Sequence, residues 1–100
     1  IRDFIYSKDV ARGMVHMVEN EIIQPVNLGS GREVTIKEIA EIIADHFGKE
    51  IVWDKTKPMG DSKRLMSTEN AEQYGFTPKV SLEEGILKTI QWYKENKDVL

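Results

Sequence analysis

Apolar positions along the chain follow two periods. Val10, Met14 and Val18 fall on one stripe, with Ala11 and Val15 beside it, up to about Asn20. That 3.6-residue spacing predicts a first helix, with Asp9 as its N-cap. Ile36, Ile39, Ala40, Ile43 and Phe47 repeat the pattern behind the capping box Thr35-Ile36-Lys37-Glu38, and Gly48 stands where such a helix ends. A short third helix is expected over 69–74, closed by Gly75 with Pro78 close behind. Ser81-Leu82-Glu83-Glu84 is a second capping box, opening a helix that carries Leu82, Ile86, Ile90 and Tyr93 on one face to about Asn96.

Between the helices the pattern turns extended. Arg2 to Tyr6, Pro25 to Leu28 and Glu50 to Trp53 are short runs rich in β-branched and aromatic residues, so three strands are expected. The fold class read from this order is α/β, or α+β as an isolated piece. A small sheet of about three short strands would be covered by about four helices. Asp54 to Lys63 has no period and contains Pro58 and Gly60, which makes it a loop.

Composition narrows the function classes. One hundred residues, 40% hydrophobic and 31% charged, suit one folded domain over residues 1–100. A net charge of -3, from 14 basic and 17 acidic residues, gives no overall positive field for nucleic acid or an anionic membrane. No apolar run approaches the roughly 20 residues that span a bilayer, so the protein is expected to be soluble and cytoplasmic, with neither nucleic acid nor membrane as a partner. The absence of cysteine excludes disulfides and thiolate chemistry and suggests a reducing compartment. The chain starts at Ile1 as if in the middle of something folded, and it is expected to be a piece of a longer protein.

Four features invite a chemical reading. Gly29-Ser30-Gly31 follows an expected strand, but it lacks the continuity into a helix of a dinucleotide fingerprint, and a plain turn is the simpler reading. Tyr93 and Lys97 match Y-x-x-x-K, yet they lie at the end of the last helix on an apolar stripe, so the match is read as accidental. His16 and His46 form no ligand spacing and are read as ordinary helix residues. The loop Lys55 to Arg64 gathers Lys55, Lys57, Lys63 and Arg64 within ten positions. Such a loop is either a solvated basic segment or an anion site, since Arg grips phosphate bidentately and Lys supplies a point charge. Arg2 and Arg32 would join it if the fold brings them near.

Read in order, these words resemble the extended short-chain dehydrogenase/reductase family of NAD(P)-dependent nucleotide-sugar epimerases, dehydratases and reductases. R-D-F-I-Y-S-K-D-V-A, P-V-N-L-G-S-G-R-E-V-T-I-K-E-I-A, W-D-K-T-K-P-M-G-D and A-E-Q-Y-G-F-T-P-K-V-S-L-E-E-G-I-L-K-T-I-Q-W-Y are similar to four of its segments, covering nearly the whole chain. The resemblance implies the C-terminal, substrate-binding lobe of a Rossmann-type enzyme. The dinucleotide (NAD or NADP) and the catalytic Tyr, Lys and Ser or Thr would then sit in an N-terminal Rossmann domain absent from this chain. It implies that Arg2 and Lys57 hold the diphosphate of a nucleotide sugar, with Lys63 and Arg64 as a further basic pair. It implies no catalytic, cofactor or metal residue here, and a parent enzyme that is a homodimer. Asp9 matches the family's aspartate after the first strand and is read as a helix cap. Met59 and the pair Ser7-Lys8 depart from the nearest branch, which leaves base, sugar and reaction open. The competing reading is a stand-alone protein-interaction module, which would show no large exposed apolar face.

Overall fold

The capped helices form where the hydrophobic spacing puts them. The computed structural model describes residues 1–58, 60 and 62–99, with α1 at Ser7–Glu19, α2 at Ile36–Phe47, α3 at Glu69–Gln73 and α4 at Leu82–Asn96, followed by a 3-10 turn at Lys97–Val99. The Thr35 side chain accepts from the Glu38 N–H at 3.1 Å, and the Ser81 side chain from the Glu84 N–H at 3.2 Å. Each therefore satisfies one of the donors that a helix start leaves open. Gly48 ends α2 in the left-handed region, at φ 63°, as a residue without a Cβ can.

Among the described residues the expected sheet is absent. Their β pairing is limited to single bridges, Arg2 with Val34 antiparallel and Arg2 with Arg64 parallel. The segments 25–28 and 50–53 form no strand, and Arg2 to Tyr6 pairs only at Arg2. The fold is thus helices joined by extended connections, not a small sheet covered by helices. The reason lies in what strand propensity measures, which is the fit of a side chain to a pleated, half-covered surface. Val52 is 92% exposed, so its segment has no surface to fit. The chain beyond Arg2 leaves its neighbours within four residues to enter α1.

Two further expectations are corrected. Asp9 is not the N-cap: α1 begins two residues earlier, after Tyr6, and Asp9 lies inside its first turn. Tyr93 does not share the inner face of α4. It is 53% exposed, whereas Gly85 and Ile90 are the buried positions.

The described core is small: Val34, Ala71, Phe76 and Ile90. Phe76, 1% exposed, is its centre. A Cβ on Gly13 of α1 would stand 3.0 Å from the Phe76 ring and from Leu28, so glycine lets the helix settle onto this core. The Arg12 guanidinium covers the Phe76 ring at 4.7 Å from its centroid, a cation–π contact. The chain measures 46 × 33 × 22 Å with a radius of gyration of 16.1 Å. A self-contained domain of this length has about 13 Å. A thin slab of this kind buries little and leaves whole helix faces outside.

Candidate functional site

Of the residues flagged around the basic loop, Arg2 and Arg64 are brought together. The Arg2 N–H donates to the Val34 carbonyl at 2.8 Å and its carbonyl accepts from the Val34 N–H at 3.3 Å. On the other side the Ile1 nitrogen donates to Ser62 O, and the Arg64 N–H donates to Ile1 O, both at 2.9 Å. Arg2 is therefore fixed by its backbone between the segment before α2 and the end of the basic loop. Its Nη1 donates to Ile1 O at 2.9 Å, and its Nη2 lies 3.1 Å from where a Cβ on Gly60 would stand. The glycine of the K-P-x-G loop thus leaves the space into which the guanidinium reaches.

The basic residues meet different fates. Lys57 is exposed on the same loop, with no hydrogen bond or ion pair among the described residues. Lys63 is already engaged: its Nζ sits 2.6 Å from the Glu33 carboxylate. The hydrogen bond and charge of Lys63 hold the Glu33 carboxyl below its ordinary value. Arg64 contributes its backbone to the bridge with Arg2. Arg32 does not join the loop. Its Nη2 reaches toward Phe4 O at 3.5 Å, and its Nε is buried without a partner among the described residues. Glu33 escaped the sequence reading, because its partner lies thirty positions on and no spacing rule links the two.

The glycine turn holds an acid of the chain itself. Asp3 Oδ1 accepts from the Ser30 N–H and from the Ser30 hydroxyl, each at 2.8 Å. A Cβ on Gly29 would stand 2.7 Å from Asp3 Oδ2. The Ser30 N–H, a backbone donor that could face a phosphate, is turned to a carboxylate, so this turn as it stands does not fit a dinucleotide phosphate. No step of cofactor chemistry is derived from it.

Asp9 has a structural task that the sequence did not reveal. It is 3% exposed and accepts from the Lys79 N–H at 3.2 Å and the Val80 N–H at 3.0 Å, with Arg12 at 3.5 Å. Burial pushes its carboxyl up, but the hydrogen bonds from Val80, Lys79 and Arg12 outweigh that and hold it below the ordinary value. His16 contacts the Tyr74 carbonyl through Nε2 at 2.6 Å, and His46 meets Lys94 Nζ at 3.0 Å, so both histidines join helices to their neighbours. Among the described residues no group of three or more His, Asp or Glu is placed to hold a metal, and no helix is long and apolar enough to cross a membrane.

The backbone of Arg2 is thus held at the end of the basic loop, with its guanidinium near Gly60. The model of the family described as GDP-mannose 4,6 dehydratase matches residues 1–89. The chain belongs to that family. It is 38% identical over 99 residues to a probable GDP-L-fucose synthase of Oryza sativa subsp. japonica, covering 96% of this chain and 30% of that relative. It is 31% identical over 110 residues to the GDP-L-fucose synthase of Escherichia coli K12, covering 98% of this chain and 34% of that relative. Among solved structures it resembles a GDP-mannoheptose C4 reductase from Campylobacter jejuni with NADP bound, at a TM-score of 0.75 and 27% identity, over 93% of this chain and 31% of that one. The chain thus spans about a third of the length of the proteins it matches. The family is of the short-chain dehydrogenase/reductase type that the sequence words resemble.

Proposed function

We propose that the chain is the substrate-binding lobe of an NAD(P)-dependent enzyme that modifies a nucleotide sugar, with the GDP-sugars as its substrate class. The observation that carries this is the clamp on Arg2, whose backbone is pinned on both sides and whose guanidinium lies against Gly60 of the basic loop. The names of the relatives support guanine as the base. Arg2 and Lys57 hold the diphosphate by charge-assisted hydrogen bonds, and the backbone of Arg64 is bridged to Arg2. Lys63 is a reserve cation, because Glu33 must release it first. The lobe positions the sugar, and the dinucleotide and the proton-transferring groups belong to a Rossmann part of the longer chain. That part also carries the homodimer contact, in a cytoplasmic enzyme.

A stand-alone interaction module is disfavoured by the match of residues 1–89 to the family model. The reading is tested by calorimetric titration of the full-length protein with GDP-, UDP- and dTDP-hexoses. Saturable binding of a GDP-hexose that is lost in the double variant Arg2→Ala/Lys57→Ala supports it. Equal binding by the variant, or no binding of any nucleotide sugar, refutes it.

A further inference from the structure

Both bridges of the first segment meet at one residue. Val34 holds Arg2 from one side and Arg64 from the other, and no ladder continues either pairing among the described residues. Two partners on one line fix where Arg2 lies, but they leave the segment able to tilt about that line, because only further rungs would stop it. Past Arg2 the backbone gives no help: among the described residues, no backbone–backbone hydrogen bond holds positions 3–5 before the chain enters α1. The tilt matters for a long side chain. An extended arginine carries its guanidinium about 6 Å from its Cα, so a tilt of ~10° moves it by about 1 Å. That is enough to take a hydrogen bond of about 2.9 Å out of reach.

What holds the segment beyond Arg2 is the side chain of Asp3. Its Oδ1 accepts from the Ser30 N–H and from the Ser30 hydroxyl, each at 2.8 Å, and the Ser30 oxygen in turn accepts from the Arg32 N–H at 3.1 Å. Two residues on, Val34 returns to Arg2, so Asp3, Ser30, Arg32 and Val34 close a ring on the arginine. The turn they pass through is braced from behind. A Cβ on Gly29 would stand 2.7 Å from Asp3 Oδ2 and 3.2 Å from the Met66 Cβ, two residues past Arg64.

We propose that Asp3 is a positioning residue for Arg2: its bonds to Ser30 stop the tilt and set the guanidinium where it meets the diphosphate. This rests on the reading of Arg2 as a diphosphate ligand. Asp3 acts through Arg2 and not on the substrate, since Oδ1 is engaged by Ser30 and Oδ2 is buried against Gly29. The sign of the effect separates positioning from charge. A carboxylate near a diphosphate repels it, so by Coulomb's law alone the removal of Asp3 would strengthen binding. Positioning requires the opposite.

The test is a double-mutant cycle on the full-length protein, with GDP as the probe in calorimetric titration at one salt concentration. Asp3→Ala should weaken GDP binding about fivefold or more with Arg2 present, and by less than about twofold when Arg2 is already replaced by alanine. Asp3→Asn removes the same charge but keeps an oxygen for the Ser30 donors, and should stay within about threefold of the parent. Ser30→Ala removes the hydroxyl donor and spares the N–H, so it carries the cycle where Asp3→Ala does not fold; a loss of about twofold or more that needs Arg2 supports the proposal. Binding as tight as the parent's in these alanine variants would overturn it. So would losses of equal size with and without Arg2, which mark a merely structural role. The two claims fail in different ways: a loss for Arg2→Ala with none for Asp3→Ala or Ser30→Ala removes the positioning role alone, and unchanged binding by Arg2→Ala removes the diphosphate reading together with it.

Discussion

Nη2 of Arg2 lies 3.1 Å from the point where a Cβ on Gly60 would stand. That gap is closed by the far end of a flexible side chain, so Gly60→Ala should displace the guanidinium and leave the fold intact. The expected outcome is an unfolding midpoint equivalent to within about 0.5 kcal/mol of the parent, together with GDP-hexose affinity reduced about threefold to tenfold. A large loss of stability with unchanged affinity would show that the glycine serves the loop and not Arg2.

The Asp9 carboxylate joins α1 to the backbone just ahead of α4. Asp9→Ala leaves the Lys79 and Val80 N–H groups without their acceptor and should cost about 2 kcal/mol in urea unfolding. Its hydrogen bonds hold the folded pKa below the unfolded value of about 3.9. The stabilisation is therefore present above that pH and is lost as pH falls through it toward the lowered folded value. The stability gap between parent and Asp9→Ala should narrow between pH 5 and pH 2, at roughly the span expected for a lowered carboxylate. A gap that stays constant or widens on acidification would contradict the assignment.

At Gly29 the obstacle is close and the neighbours are packed. A Cβ there would meet Asp3 Oδ2 at 2.7 Å and the Met66 Cβ at 3.2 Å. Gly29→Ala is expected to destabilise by about 1–3 kcal/mol, as overpacking does. Thermal unfolding checks this, and a neutral result would mean that the turn around Asp3 has room to shift.

Lys57 and Lys63 should behave unequally, although composition makes them look alike. Lys63 is held by Glu33 at 2.6 Å, so Lys63→Ala should change GDP-hexose affinity by less than about threefold, against about tenfold or more for Lys57→Ala. Glu33→Gln frees Lys63 and should strengthen binding. Equal losses in the two lysine variants would place Lys63 in the site despite Glu33.

The helices were legible in the sequence because their signals are local. Thr35 and Ser81 make the caps their spacing implies, and Gly48 takes the left-handed angle expected of it. The sheet was not legible, because Val52 and Leu28 carry strand-forming character that only a pairing surface could realise. The orientation of α1 was hidden for the same reason. A 3.6-residue stripe tells which residues share a face but not which face turns inward, and distant acceptors at Tyr74 and Thr77 and donors at Lys79 and Val80 settled it in favour of the polar one. At the site, the backbone of Arg2 pairs with the end of the basic loop. The engagement of Lys63 by Glu33, and of the glycine turn by Asp3, depended on contacts that no spacing rule encodes.

The central claim is that Arg2 grips the diphosphate of a nucleotide sugar. Its most direct test is the calorimetric dissociation constant of GDP for the full-length protein and for Arg2→Ala, measured at the same salt concentration. A lost charge-assisted bond of about 1.5–3 kcal/mol predicts weakening by about tenfold to a hundredfold. A constant within twofold of the parent, in a variant that unfolds at the same midpoint, would contradict the account.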